Sequence, residues 1–262
     1  MDPDIFKAAV LGMVQGVTEF FPVSSTAHLI LVPWFFGWQG ELDTLSFDVA
    51  LHGGTLLALI AYFYKDWLDL VFNDRRMLLL VMLGTIPAGL AGLFLQKAAE
   101  HAFRSPIIIV FTLIIVGAIM LAAEKYGKMN KSANGSISTA DALVIGFAQA
   151  VALVPGVSRS GITITAGLFR DLTRESATRF SFLLSTPIIA GATLLHLVKM
   201  VKTHEAYDMG LFATGFVAAA ISGFFAIGIL LGYLRKHPLN MFVYYRWALA
   251  VVVLVFWYYG KS

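Results

Sequence analysis

The sequence predicts an all-α polytopic membrane protein built from two inverted-topology repeats, each a re-entrant helix hairpin plus three transmembrane helices. Three observations predict it: the composition, the apolar runs, and two polar interruptions that resemble each other. Of 262 residues, 58% are hydrophobic and 13% charged, and the mean hydropathy is +0.78. Soluble domains carry roughly 25% charged residues. No strand-like alternation appears, which argues against an outer-membrane barrel. Cysteine is absent, so thiolate and disulfide chemistry are excluded. The start MDPDIFK lacks a basic n-region and a small-residue cleavage site, so no signal peptide is expected. The net charge of +3 is small, and no nucleic-acid partner is expected.

Apolar segments lie at 5–32, 48–64, 77–95, 107–123, 141–169, 180–198, 211–234 and 240–259. Six read as simple spans. The first segment is broken by Pro22-Val-Ser-Ser-Thr-Ala-His28, and the fifth by Pro155-Gly-Val-Ser-Arg-Ser-Gly161. Proline lacks a backbone donor and serine competes for backbone bonds, so both stretches stop a helix. The half-segments are too short to cross a bilayer, which predicts hairpins that enter and leave on one side. Broken backbone persists at that depth only when buried in protein or lining a wet cavity.

Sliding the chain by 134 residues places Gly12 on Gly146, Gln15 on Gln149, Val17 on Val151, Val23 on Val157 and Ser24 on Ser158. Pro22 and Pro155 miss by one position. This predicts a duplication within a single integral membrane domain, with repeats at 1–130 and 137–262. Three spans follow each hairpin, an odd number, so the second repeat is inverted, as in many transporters. The connections 65–76, 124–140, 170–179 and 235–239 hold eleven Lys and Arg, against six on the other side. The positive-inside rule puts those connections in the cytoplasm and both termini outside. The first hairpin then enters from outside, and the pocket is expected to open to the extracytoplasmic side. The polar stretch 125–136 is expected to be a mobile cytoplasmic connector.

The two breaks carry the candidate chemistry. Glu19 lies one turn after Gln15, and a carboxylate in a membrane segment is usually functional. A structural carboxylate paired with Arg246 or with a backbone amide is the plainer alternative. Ser24, Ser25 and Thr26 open a half-helix whose free amides favour an anion, although Ser and Thr are also ordinary caps. His28 follows within one turn, so a hydroxyl nucleophile and an imidazole are candidate partners. Ser158, Arg159 and Ser160 open the second half-helix. Arg forms forked bonds to phosphate; here it could instead neutralise Glu19, and the two roles can alternate. His52, with Asp48 one turn before it, reads more simply as packing and capping. Arg246 reads as a residue near a membrane edge that snorkels. No His, Asp and Glu spacing matches a closed zinc site.

Gln15-Gly-Val-Thr-Glu19, Pro22-Val-Ser-Ser-Thr-Ala-His28 and Pro155-Gly-Val-Ser-Arg-Ser-Gly-Ile-Thr163 resemble the signature motifs of the undecaprenyl pyrophosphate phosphatase family, also called bacitracin-resistance proteins. The resemblance extends over essentially the whole chain. Many members carry Glu where this chain has Gln15, so an obligatory base or metal ligand is not expected there. The resemblance implies removal of the terminal phosphate of a C55 isoprenoid pyrophosphate in the bacterial plasma membrane, recycling the carrier lipid of peptidoglycan synthesis. It also implies a divalent cation, Mg²⁺ or Ca²⁺, and often a homodimer among membrane lipids.

On that footing Arg159, Ser158, Ser160, Ser24, Thr26 and Gln15 are the expected phosphate-binding residues. Ser25 is the candidate nucleophile, Glu19 or His28 the base, and Glu19 the candidate metal ligand. Direct attack by water stays open. The rival class is a flippase for the polyprenyl phosphate lipid, which needs Arg159 but neither Ser25 nor His28.

Overall fold

The computed structural model describes residues 3–101, 105–131, 137–203 and 207–259, and those residues are helical apart from short connections. Helix α1 (Pro3–Phe20) and α2 (Ser25–Phe36) form the first hairpin. A short 3-10 turn leads to α3 (Leu45–Tyr62), followed by α4 (Tyr64–Phe72), α5 (Arg75–His101) and α6 (Pro106–Tyr126). Helices α7 (Thr139–Val151) and α8 (Arg159–Phe169) form the second hairpin, and α9 (Arg174–Thr203), α10 (Met209–Leu234) and α11 (Asn240–Tyr259) complete the chain. Helices α3, α5, α6, α9, α10 and α11 are long and apolar enough to span a membrane, while α2 and α7 are too short. Both broken segments are therefore helix–turn–helix units, as expected.

Helix starts follow local chemistry. Thr44 caps α3 by accepting from Phe47 N. Ser138 and Asp141 close a reciprocal capping box on α7. Asp208 accepts from the Gly210 and Leu211 amides at the start of α10. Gly37 ends α2 in the left-handed conformation, its N–H returning to Pro33 O.

One connection differs from expectation. Residues 65–76 read as a charged loop, yet Tyr64–Phe72 is helical. Lys65, Asp66 and Asp69 obscure the helical spacing that lets Leu70 bury itself. The 125–136 connector, expected to be mobile, lies partly outside the described residues. Its described part is tethered, because Lys131 N donates to Asp171 O and Thr173 N donates to Lys131 O, each at 2.9 Å.

The four connections assigned to one side do meet at one end of the molecule. Arg174 forks onto Glu124 (2.6 Å for the shortest bond), and Leu239 N donates to the same carboxylate at 2.8 Å. Arg76 reaches Ile137 O at 2.7 Å, Arg179 pairs with Asp66, and Arg235 pairs with Glu175 at 2.7 Å. Asp141, fully buried, holds Arg170 at 2.6 Å.

Close helix approach depends on glycine. α1 packs along α10, with Gly12 against the Gly215 backbone, and α7 packs along α5, with Gly146 against the Gly84 backbone. A Cβ on Gly146 would overlap the Gly84 carbonyl. Gly84 and Gly215 thus serve helix packing inside the chain. Gly146→Leu is expected to cost about 1–3 kcal/mol by overpacking. A thermal melt in detergent checks this; an unchanged midpoint would contradict the packing.

Candidate active site

The two breaks are built alike. Ser24 (φ 79°) and Ser158 (φ 71°) precede α2 and α8 in a conformation unusual for a side chain bearing a Cβ. Each caps its helix, Ser24 Oγ accepting from Ala27 N at 3.4 Å and Ser158 Oγ from Gly161 N at 3.2 Å. The cap is therefore Ser24, and Ser25 and Thr26 occupy the first helical positions. Their amides, like those of Arg159 and Ser160, lack an intrahelical acceptor and form two anion-favouring helix ends.

The breaks also bind one another. Gly156 N donates to Ser24 Oγ at 3.2 Å, and Ser160 Oγ donates to Phe21 O at 3.2 Å. Thr112 Oγ1 donates to Pro155 O at 2.8 Å. Arg246 completes the join. It is fully buried, and its guanidinium donates to Pro22 O (3.3 Å), Gly156 O (2.8 Å), Thr112 O (3.1 Å) and Leu113 O (3.3 Å). The expectation that Arg246 snorkels at a membrane edge is thus corrected. The tyrosines before it hid a helix face turned inward, and the guanidinium serves carbonyls that the two turns and α6 present. Glu19 is not its partner.

Glu19 stands where the hairpins face each other. Arg159 Nη2 donates to its Oε1 at 2.6 Å. Ser25 Oγ donates to Oε2 at 2.6 Å, and Gln15 Nε2 to the same oxygen at 3.1 Å. His52 Nε2 lies 3.6 Å from Oε2. The other ring nitrogen of His52 bonds Asp48 O at 2.7 Å. A carbonyl only accepts, so Nδ1 carries the proton and Nε2 is the nitrogen turned to Glu19. Thus α1, α2, α3 and α8 each bring one group to a single carboxylate.

A cavity of about 250 Å³ opens beside this cluster. Glu19, Ser24, Ser25, Thr26, His52, Ser158 and Arg159 line its polar side, and α5 and α9 contribute an apolar wall including Ala88, Ile188 and Ile189. Arg159 Nη1 is buried without a hydrogen-bond partner, so the guanidinium holds Glu19 with one nitrogen and keeps another for a ligand.

The structure gathers most of the sequence-derived residues but separates three from the cavity wall. Gln15 sits behind Glu19 and orients it. Ser160 spends its hydroxyl on Phe21 O. His28 bonds Ser24 O through Nδ1 and Tyr245 Oη through Nε2, both at 2.7 Å. Both imidazole nitrogens are therefore occupied, and Ser25 donates to Glu19 instead. His52 enters the cavity, although its place near the start of a span read as packing and capping. Its one available signal was the turn it shares with Asp48.

A sequence profile described as "Bacitracin resistance protein BacA" matches residues 8–252. The chain belongs to the BacA family. Among curated relatives it is 55% identical over 256 residues to a protein of Thermodesulfovibrio yellowstonii called undecaprenyl-diphosphatase, covering 98% of each chain. A Moorella thermoacetica protein of the same name is 45% identical over 262 residues, covering 97% of this chain and 98% of the relative. One from Thermomicrobium roseum is 46% identical, covering 96% and 98%. Family membership thus spans both hairpins and every element that supplies the cavity.

The Arg246 bonds generate a test. Arg246→Leu leaves the Pro22 and Gly156 carbonyls of the two turns without this donor, at about 1–3 kcal/mol for each that stays buried and unpaired. Loss of folded protein, or a large fall in its detergent melting temperature, is the expected result.

Proposed function

We propose that this member of the BacA family is an undecaprenyl-diphosphatase that releases the terminal phosphate of undecaprenyl pyrophosphate and returns the monophosphate carrier lipid to peptidoglycan synthesis. The observation that carries the reading is the Ser25–Glu19 hydrogen bond of 2.6 Å, with Arg159 on the opposite carboxylate oxygen. A hydroxyl nucleophile, its base and a guanidinium stand together beside two helix N-termini. A flippase has no need of a nucleophile–base pair, which favours hydrolysis.

Phosphoryl transfer mainly requires positioning and charge neutralisation. In the proposed mechanism Arg159, the Ser158 hydroxyl and the amides after Ser24 and Ser158 hold the terminal phosphate. Ser25 Oγ attacks its phosphorus, the bridging P–O bond breaks, and the prenyl monophosphate leaves with the bond electrons. The hydroxyl proton passes to Glu19. Water then displaces phosphate from Ser25, and Glu19 returns the proton to Oγ. His52 Nε2, an acceptor in this tautomer and 3.6 Å from Oε2, is placed to take that proton on from Glu19.

Among the described residues no group of three or more His, Cys, Asp and Glu gathers for a metal ion. Mg²⁺, however, is commonly held by one or two carboxylates plus substrate phosphates. Glu19, with the buried and unpartnered Gln15 Oε1 beside it, fits such a donor set. The cation would neutralise phosphate charge.

Two further features belong to the proposal. The packing pairs support inverted repeats at 1–130 and 137–262. Exchanging α1, α3 and α5 with α7, α9 and α10 turns the α1–α10 pair into α7–α5 and the α3–α10 pair into α9–α5, and leaves α3–α9 in place. Helix α4 departs from the pattern. The basic end supports a cytoplasmic assignment. Thr193 lies 19 residues along α9 from Arg174, roughly 28 Å at 1.5 Å per residue. The cavity therefore sits in the far half, which supports opening to the extracytoplasmic side of the bacterial plasma membrane.

Purified protein is expected to release phosphate from C15 or C55 pyrophosphate with added Mg²⁺ or Ca²⁺. Ser25→Ala and Arg159→Ala should each lower kcat/KM by about a hundredfold or more, the scale of losing a transition-state contact. Retained activity in Ser25→Ala would remove the covalent route, and an inactive, folded wild type would favour transport. Thr26→Cys, at an exposed position in the cavity wall, should react with an impermeant maleimide in intact cells. Labelling only after the membrane is broken would place the cavity on the cytoplasmic side.

A further inference from the structure

The apolar wall of the cavity contains two polar groups that the mechanism above does not use. Gln149, on α7, is 3% exposed, and both its Nε2 and its Oε1 are buried without a partner. Thr193, on α9, has its Oγ1 buried and equally unpartnered. Both line the cavity. Gln149 stands one turn from Ala152 and Leu153, while Thr193 follows Ala192 and lies one turn beyond Ile189, all lining residues. The two are polar points within a greasy surface. Such groups are ordinarily bonded, and each exception calls for a reason.

The duplicated sequence explains why Gln149 lacks a partner. Its counterpart Gln15 donates to Glu19, four residues on. The same step from Gln149 reaches Leu153. The second half keeps the amide and has lost the carboxylate. One glutamine therefore orients the base, and the other faces the cavity with a donor to give.

A prenyl pyrophosphate is a linear ligand: terminal phosphate, bridging oxygen, inner phosphate, hydrocarbon. With the terminal phosphorus at Ser25, the hydrocarbon runs along the wall of Ile188 and Ile189. The inner phosphate must lie between them, where a polar point in an apolar surface is needed. We propose that Gln149 Nε2 and Thr193 Oγ1 donate to the non-bridging oxygens of this inner phosphate, forming a leaving-group subsite separate from the cradle for the terminal phosphate. The subsite rests on the phosphatase reading. It selects a phosphate monoester carrying an apolar chain over free phosphate, and it holds the departing group as the bridging bond breaks.

The two products separate the subsites. C15 monophosphate carries the inner phosphate, whereas inorganic phosphate is the former terminal one. Purified wild type, Gln149→Met and Thr193→Val are assayed on C15 pyrophosphate with each product as inhibitor. The near-isosteric variants should weaken inhibition by C15 monophosphate about tenfold each, as for loss of one hydrogen bond to a charged group. Inhibition by inorganic phosphate should stay within about twofold, too small a change for such a bond. Gln149→Glu, which sets a negative charge against the inner phosphate, should weaken C15 monophosphate further, and Thr193→Ser should restore it. Unchanged inhibition by C15 monophosphate, or an equal loss for both products, overturns the subsite. If wild type releases no phosphate, the phosphatase reading fails. Thermal stabilisation by C15 monophosphate, wild type against Gln149→Glu, then still decides whether these groups hold the ester.

Discussion

The guanidinium of Arg246 is the contact on which the rest of the site depends. The turns of the two helical hairpins meet inside the protein, and a buried turn presents carbonyls that water does not serve. Arg246 serves Pro22 in one turn, Gly156 in the other, and Thr112 and Leu113 in the helix behind both. A lysine could not span these acceptors with its compact ammonium, whereas a planar fork with five donors can. The same bonds leave a positive charge directly behind the turns. The cavity beside the turns is therefore biased toward anions before Arg159 contributes.

Against that background Glu19 is the one carboxylate in the cavity wall, and its four polar neighbours come from four helices. Its bond to Arg159 balances a charge that the membrane would otherwise make costly. The balance is also adjustable. Arg159 keeps one nitrogen unpaired, so an arriving phosphate can share the guanidinium without stripping Glu19 of every partner. The halves contribute unequally: the first carries the bonded serine and carboxylate, and the second carries the cation and an unpaired amide.

Much of this was legible in the sequence because broken helices announce themselves. Pro22 with three hydroxyls, and Pro155 with Gly156 and Ser158, stop an apolar run by backbone chemistry alone. Glu19, Ser25 and Arg159 stand out because their residue types are costly at that depth. Legibility failed where the decisive fact was direction. Arg246 and His52 lie on helices apolar on every side, so nothing in the spacing says which face turns inward. His28 failed oppositely. Nearness along the chain to Ser25 made them natural partners, but the cap geometry of Ser24 turns the imidazole toward Tyr245. Helix α4 was missed because its three charged residues mask a single buried leucine.

The Glu19–Arg159 pair joins residues 140 positions apart, and this has a consequence for how the protein is made. Synthesis proceeds from the N-terminus, and domains assemble as the chain emerges. Glu19 enters the bilayer well before its cation exists, with Gln15 and Ser25 as the partners already at hand. Arrival of the second hairpin then supplies Arg159, which stands 2.6 Å from the carboxylate. The buried ion pair is thus completed only when both hairpins are in place.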